Sequence, residues 1–190
     1  RRLRLSNIAM VFQAFGLLPW RSVRDNVGLG LELGGQSPEA RRAKVDEQLA
    51  LVNLSQWADR KVGELSGGMQ QRVGLARAFA TQAPILLMDE PFSALDPNTR
   101  LRLRQEIVRI WQETQRTVVF VTHDIEEAIW LADRIVLLSN KPTRVLESIV
   151  VDAPRPRHLH QDPTLQALRQ RLEHLFHTLG FDTSTENTAP

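Results

Sequence analysis

Short, nearly continuous apolar runs punctuate the chain at "IAMVF" (8–12), "ILLMD" (85–89), "TVVFVTH" (117–123) and "RIVLL" (134–138). Runs this short, with so few polar interruptions, predict strands buried on both faces, as in a parallel sheet covered by helices. Between them the spacing becomes helical. "SPEARRAKVDEQLALV" opens with Ser37 as N-cap and Pro38 at the first helical position, then sets Val45, Leu49 and Val52 on one face. Leu103, Ile107, Ile110 and Trp111 repeat at i, i+4, i+7 and i+8. A turn around Pro19, with Trp20 partly exposed, leads into an amphipathic helix that turns Val23, Val27 and Leu31 inward. Strand and helix alternate, which predicts an α/β domain.

The pattern also divides the chain. Residues 1–21 close a first core segment, and 22–80 are mostly helical and read as an inserted subdomain. Residues 81–151 return to the α/β pattern. In "DAPRPR" (152–157) the prolines break the fold, and 152–180 hold a linker and a terminal helix around "LQALRQRLEHLF". The tail from 181 to 190 has little to bury, and disorder is expected there.

Composition narrows the class. The 190 residues suffice for one domain with a real core and a small subdomain. Hydrophobic content of 42% and charged content of 24% are ordinary for a soluble globular chain. No apolar run approaches the roughly 18 to 20 residues of a membrane span, and no signal-peptide pattern opens the chain. Zero cysteines exclude disulfides, thiol catalysis and cysteine–metal sites. A net charge of +2 is too small to argue for nucleic acid, and "RRLRL" (1–5) reads as a solvated helix end. The expectation is a cytosolic enzyme or binding domain.

Chemistry enters at "ELSGGMQQRVGLARAFA" (64–80), where two adjacent glycines open a long amphipathic helix. Glycine is about 1 kcal/mol less favourable than alanine inside a helix, so the pair needs a reason. At a helix start the first N–H groups lack internal partners and the macrodipole is positive, which suits a phosphate. Ser66 stands where an N-cap belongs. "ILLMDEP" sets Asp89 and Glu90 at the carboxyl end of a strand, where open α/β sheets bind ligands. Alternation along the strand lets the two carboxylates take different jobs. Asp89 suits Mg²⁺ held through water, and Glu90 suits orienting or deprotonating an attacking water. Taken alone, "DE" also fits a strand that merely ends in solvated acids.

The ensemble is more specific. "MVFQ" (10–13), "LSGGMQQR" (65–72), "ILLMDEP", "SALD" (93–96) and "VTHD" (121–124) resemble, in order, five motifs of the ATP-binding cassette (ABC) ATPases: Q-loop, signature, Walker B, D-loop and switch histidine. The resemblance implies a P-loop NTPase-like core with a mostly parallel sheet and an inserted helical subdomain, binding ATP and Mg²⁺. It further implies that Gln13 and Asp89 serve the magnesium and water, and that Glu90 is the general base. His123 would contact the γ-phosphate, although a histidine after a strand is by itself usually a surface or capping residue. Ser66, Gly67 and Gly68 would contact the γ-phosphate of an ATP held by the other subunit of a head-to-tail dimer, and Asp96 would cross that interface. Met69 stands where many signatures carry glutamine; little harm is expected, because backbone N–H groups do most of the phosphate binding.

One family element is missing. The P-loop pattern G-x-x-x-x-G-K-[ST] needs a lysine after glycine, and Lys44, Lys61 and Lys141 follow Ala43, Arg60 and Asn140. The strand region that precedes it in the family is also lacking. With Arg1 in place of Met, truncation is the expected account. The alternative is a degenerate subunit that contributes only its signature half to a partner's ATP. These residues alone are expected to hydrolyse ATP negligibly.

"FQAFGLLPWRSVRDNVGLGLEL" (12–33) is similar to importer ATPases for small solutes. In them this region forms a groove for a short cytoplasmic helix of the permease. Phe15, Leu17, Leu18 and Trp20 could wall it, while Leu17 fits the core of the helical subdomain equally well. The implied partners are a second ATPase subunit, membrane permease subunits and, indirectly, a solute-binding protein, with no nucleic acid. The implied location is peripheral, on the cytoplasmic face of the inner or plasma membrane. Some stretches look like glycine betaine, choline or proline uptake ATPases. Others, including "VDAPRPR", look like those for nitrate, sulfonate or taurine, the group favoured by the short chain after residue 138. The ATPase never touches the solute, so its residues indicate lineage only.

Overall fold

The structure, a computed structural model, describes residues 7–93 and 95–178, without the side chain of Ile110. "RRLRL" and the tail from 181 to 190 lie outside the described residues. The chain forms two compact units that divide after Val121.

In the first unit the runs at 8, 85 and 117 become β1 (Ile8–Val11), β2 (Ile85–Asp89) and β3 (Thr117–Val121). They form a parallel sheet in the order β1-β2-β3, with Ile8 opposite Ile85 and Asp89 opposite Val121. Parallel neighbours need long crossovers. The first contains three helices, α1 (Val23–Leu33), α2 (Pro38–Leu51) and α3 (Gly67–Ala80); the second contains α4 (Pro97–Thr114). Local chemistry starts each of them. Ser22 forms a capping box with Asp25, Ser37 caps α2 ahead of Pro38, and Asp96 caps α4 ahead of Pro97. Helices α1, α2 and α3 pack on one another, and α3 also lies against β1. Their shared core buries Val23, Val27 and Leu31 with Val45, Leu49 and Val52, and with Val73, Leu75, Ala76 and Phe79.

The expectation of strands buried on both faces does not hold. Ala9, Val11, Leu86 and Met88 are buried, whereas Ile8, Met10, Val119 and Val121 are exposed, Val121 by 54%. The pleat sends alternate side chains to opposite faces, and among the described residues only one face is covered.

The second unit holds α5 (Ile125–Leu131), β4 (Arg134–Leu138), β5 (Val145–Val150) and α6 (Pro163–Thr178). "RIVLL" does not extend the parallel sheet: β4 pairs antiparallel with β5, a strand the apolar runs did not single out. The short connection between them permits only that direction. The core here is Ile129, Ile149, Val151, Leu159, Leu165 and Leu172.

"DAPRPR" does more than break the fold. Arg157 is buried and donates to four carbonyls: Ala153 (3.0 Å), Ile129 (2.7 Å), Ala132 (2.6 Å) and Val151 (3.0 Å). Arg155 donates to Leu131 O and pairs with Asp133 at 2.6 Å. Two cations thus gather the open carbonyls at the C-terminal end of α5, where the helix dipole favours positive charge. Burial pulls the Arg157 pKa below its usual value, and neighbouring Arg155 adds to that. Replacing it by an uncharged chain of similar bulk leaves buried carbonyls unpaired. Arg157→Met is expected to destabilise this unit by about 3 kcal/mol, read from urea unfolding followed by Trp130, the unit's one tryptophan. An unchanged midpoint would overturn the clamp.

Candidate functional site

Strand β2 ends at Asp89, and Glu90 then leaves it with φ +43°, a left-handed conformation uncommon for a residue with a side chain. The surroundings hold it there. Its N–H donates to Val121 O (2.9 Å), and its carbonyl accepts from Gln71 Nε2 (3.3 Å) and Ser93 Oγ (3.0 Å). Its carboxylate accepts from Gln13 Nε2 at 3.0 Å. Two side chains 77 positions apart therefore meet at the carboxyl end of the parallel strands.

Gln13 and Glu90 thus meet, and Asp89 directly precedes Glu90 at the end of β2. Among the described residues no three His, Cys, Asp or Glu cluster to hold a metal. The donors that Gln13 and Asp89 carry are oxygens, the type Mg²⁺ takes beside waters and phosphates.

Ser66, Gly67 and Gly68 sit elsewhere, at the start of α3. Ser66 caps the helix, its Oγ accepting from Met69 N at 3.4 Å. Gly67 is exposed, and a Cβ there would meet nothing within 4 Å. Asp96 is exposed and accepts from Thr99 N at 3.0 Å. The Thr99 hydroxyl and backbone N–H groups hold its carboxyl below the usual carboxylate range. Ala94, within "SALD", lies outside the described residues. His123 belongs to the second unit and is exposed there. Beside it, Thr122 Oγ1 donates to Glu127 Oε2 (2.8 Å) and Asp124 caps α5 by accepting from Glu127 N (3.0 Å).

The loop from 12 to 21 is pinned from three directions. Arg77 on α3 donates to Phe15 O (2.8 Å) and Gly16 O (2.7 Å), at two residues with φ of +58° and +55°. Asn26 on α1, fully buried, accepts from Leu18 N (2.7 Å) and donates to Leu18 O (3.1 Å) and Ser22 O (2.9 Å). Lys61 Nζ donates to Trp20 O at 2.8 Å. Phe15, Leu17 and Leu18 are half-buried, while Trp20 is 69% exposed.

Gln71, Asn26, Arg77 and Lys61 escaped the sequence reading. Two of them carried a signal. Gln71 shares a helical face with Leu75 and Ala78, and Asn26 lies between Val23 and Val27, so each is a polar residue on an apolar stripe.

The family profile described as "ABC transporter" matches residues 1–93. The taurine import ATP-binding protein TauB of Rhizobium johnstonii is 43% identical over 176 residues, covering 89% of this chain and 67% of that protein. This chain belongs to the ABC transporter ATP-binding family. TauB of Pseudomonas entomophila is 50% identical over 143 residues, covering 75% of this ABC chain and 55% of its own length. The dimeric post-hydrolysis structure of the ATP-binding cassette MJ0796, bound to ADP and Pi, is similar with a TM-score of 0.73 and 37% identity. That match covers 80% of this chain and 66% of that one, so the chain spans only part of the length of these relatives. The fold is that of an ABC ATPase cassette, P-loop NTPase-like and mixed α/β with a parallel sheet.

Removing the buried amide that pins the ABC loop should be felt at once. Asn26→Leu is expected to lower stability by about 2 kcal/mol and to speed hydrogen exchange at the Leu18 amide, whose acceptor it removes. Unchanged exchange there would show that the loop is held without Asn26.

Proposed function

We propose that this chain works, within a complete cassette, as the ATP-hydrolysing subunit of an importer and couples hydrolysis to small-solute uptake through a membrane permease. The observation that carries this reading is the hydrogen bond from Gln13 to Glu90 at the carboxyl end of the sheet. Glu90 accepts the proton of the attacking water, and Gln13 fixes the direction of that carboxylate. Asp89 and Gln13 Oε1 would hold Mg²⁺, which when bound neutralises charge on the transferring phosphoryl group. The open start of α3, with Ser66, Gly67 and Gly68, offers its N–H groups to the γ-phosphate of an ATP on a second subunit. Asp96, holding the start of α4 in shape, would face that subunit, and His123 would reach a γ-phosphate.

Phe15, Leu17, Leu18 and Trp20 would receive a helix of the permease. The pinned backbone under an exposed Trp20 supports this, since an aromatic side chain on a held backbone suits helix docking. Among the described residues no helix is long and apolar enough to cross a membrane, so attachment through a permease would place the subunit peripherally on the cytoplasmic face. The relatives named for taurine import support a sulfonate as the solute, delivered by a solute-binding protein that this subunit does not touch. The alternative is a module that lends its signature to a partner's ATP without hydrolysing its own.

Steady-state Mg²⁺-ATPase assays separate the two. In a complete cassette carrying these residues, Glu90→Gln should lower kcat at least about 100-fold while ATP binding persists. A variant as active as its parent would overturn the general base. The 190 residues alone should show no Mg²⁺-dependent turnover, and turnover abolished by Glu90→Gln would refute that expectation.

A further inference from the structure

Gln71 lies five residues beyond Ser66 on α3, is fully buried, and donates from Nε2 to the Glu90 carbonyl. Through it the signature helix reaches the backbone of the carboxylate-bearing residue. Glu90 holds a φ of +43°. Such a conformation costs of order 1–3 kcal/mol and persists only where its surroundings over-determine it. Ser93 Oγ and Val121 O supply two of those constraints from the strand-end region itself. Gln71 supplies the one that comes from the signature helix.

We propose that Gln71 is a positioning residue that ties the signature helix to the direction of the Glu90 carboxylate. The proposal rests on Glu90 being the general base. The first turn of α3 carries the amides offered to a partner's phosphate, and Gln71 sits at the start of the next turn. Hydrogen-bonded helical turns move together. A shift of the helix start on engaging phosphate therefore moves the Gln71 amide, and with it the peptide after Glu90. The carboxylate that activates water in one site becomes sensitive to whether this subunit's signature is engaged in the other. The link is a direct contact between two elements that each serve a different ATP, and it needs no longer chain of packing.

Three readouts test it. In the unaltered chain, NMR hydrogen exchange of the Gln71 Nε2 protons should be slower than that of the exposed Gln161 amide; equal rates overturn the tie. Gln71→Met keeps length and bulk but removes the donor. It should speed exchange of the Glu90 N–H about 10-fold while the amides of Val73 to Phe79 stay unchanged. Equal acceleration along α3 would show that Gln71 merely packs, and no change at Glu90 would show that the carbonyl is held without it. In a complete cassette, Gln71→Met should lower kcat about 10-fold or more with KM for ATP within about twofold. A parallel loss in KM, or no loss at all, would count against the proposal. If the parent cassette lacks Mg²⁺-ATPase activity, the reading of Glu90 as base fails, and the exchange measurements still decide whether Gln71 holds its backbone.

Discussion

The burial of α3 is the constraint on which the first unit depends. Val73, Leu75, Ala76, Ala78, Phe79 and Ala80 are buried, with α1 and α2 packed against the helix and β1 beside it. Interiors packed to this density do not let one member slide alone. The polar side chains of α3 are therefore aimed at fixed targets: Gln71 at Glu90 O, Arg72 at Val52 O, and Arg77 at Phe15 O and Gly16 O. Burial lowers the pKa of both arginines, with Asp96 offsetting part of it at Arg72, and each donates to backbone carbonyls.

That arrangement helps hold three left-handed residues. Glu90 in one place and Phe15 with Gly16 in another have positive φ, and α3 donates to the carbonyls of all three. Conformations unfavourable by themselves are kept because a rigid element over-determines them. The apolar burial of the helix supplies stability, and its few inward polar groups determine which backbone geometry is adopted.

Much of this was legible along the chain because it is local. Ser37, Ser66 and Asp96 cap the helices they precede, and the apolar runs at 8, 85 and 117 are strands. Capping involves residues three apart, and a strand of a parallel sheet shows itself in four or five consecutive side chains. The order of five short motifs announced the family, since each is legible within a few residues. Other features stayed hidden. "RIVLL" has the composition of the other strands, yet its partner β5 and their antiparallel direction depend on a neighbour further along the chain. Arg157 looks like part of a polar linker until the carbonyls of α5 surround it.

The chain by itself determined the parallel strands and most helices, and where the capped helices begin. All of these follow from propensities and spacings within a few residues. Only the tertiary structure decided that Gln13 meets Glu90, that Gln71 grips the peptide after that carboxylate, and that one face of the sheet is covered. Each depends on groups brought together across long stretches of chain, and a contact of that kind leaves little mark on the residues immediately beside it.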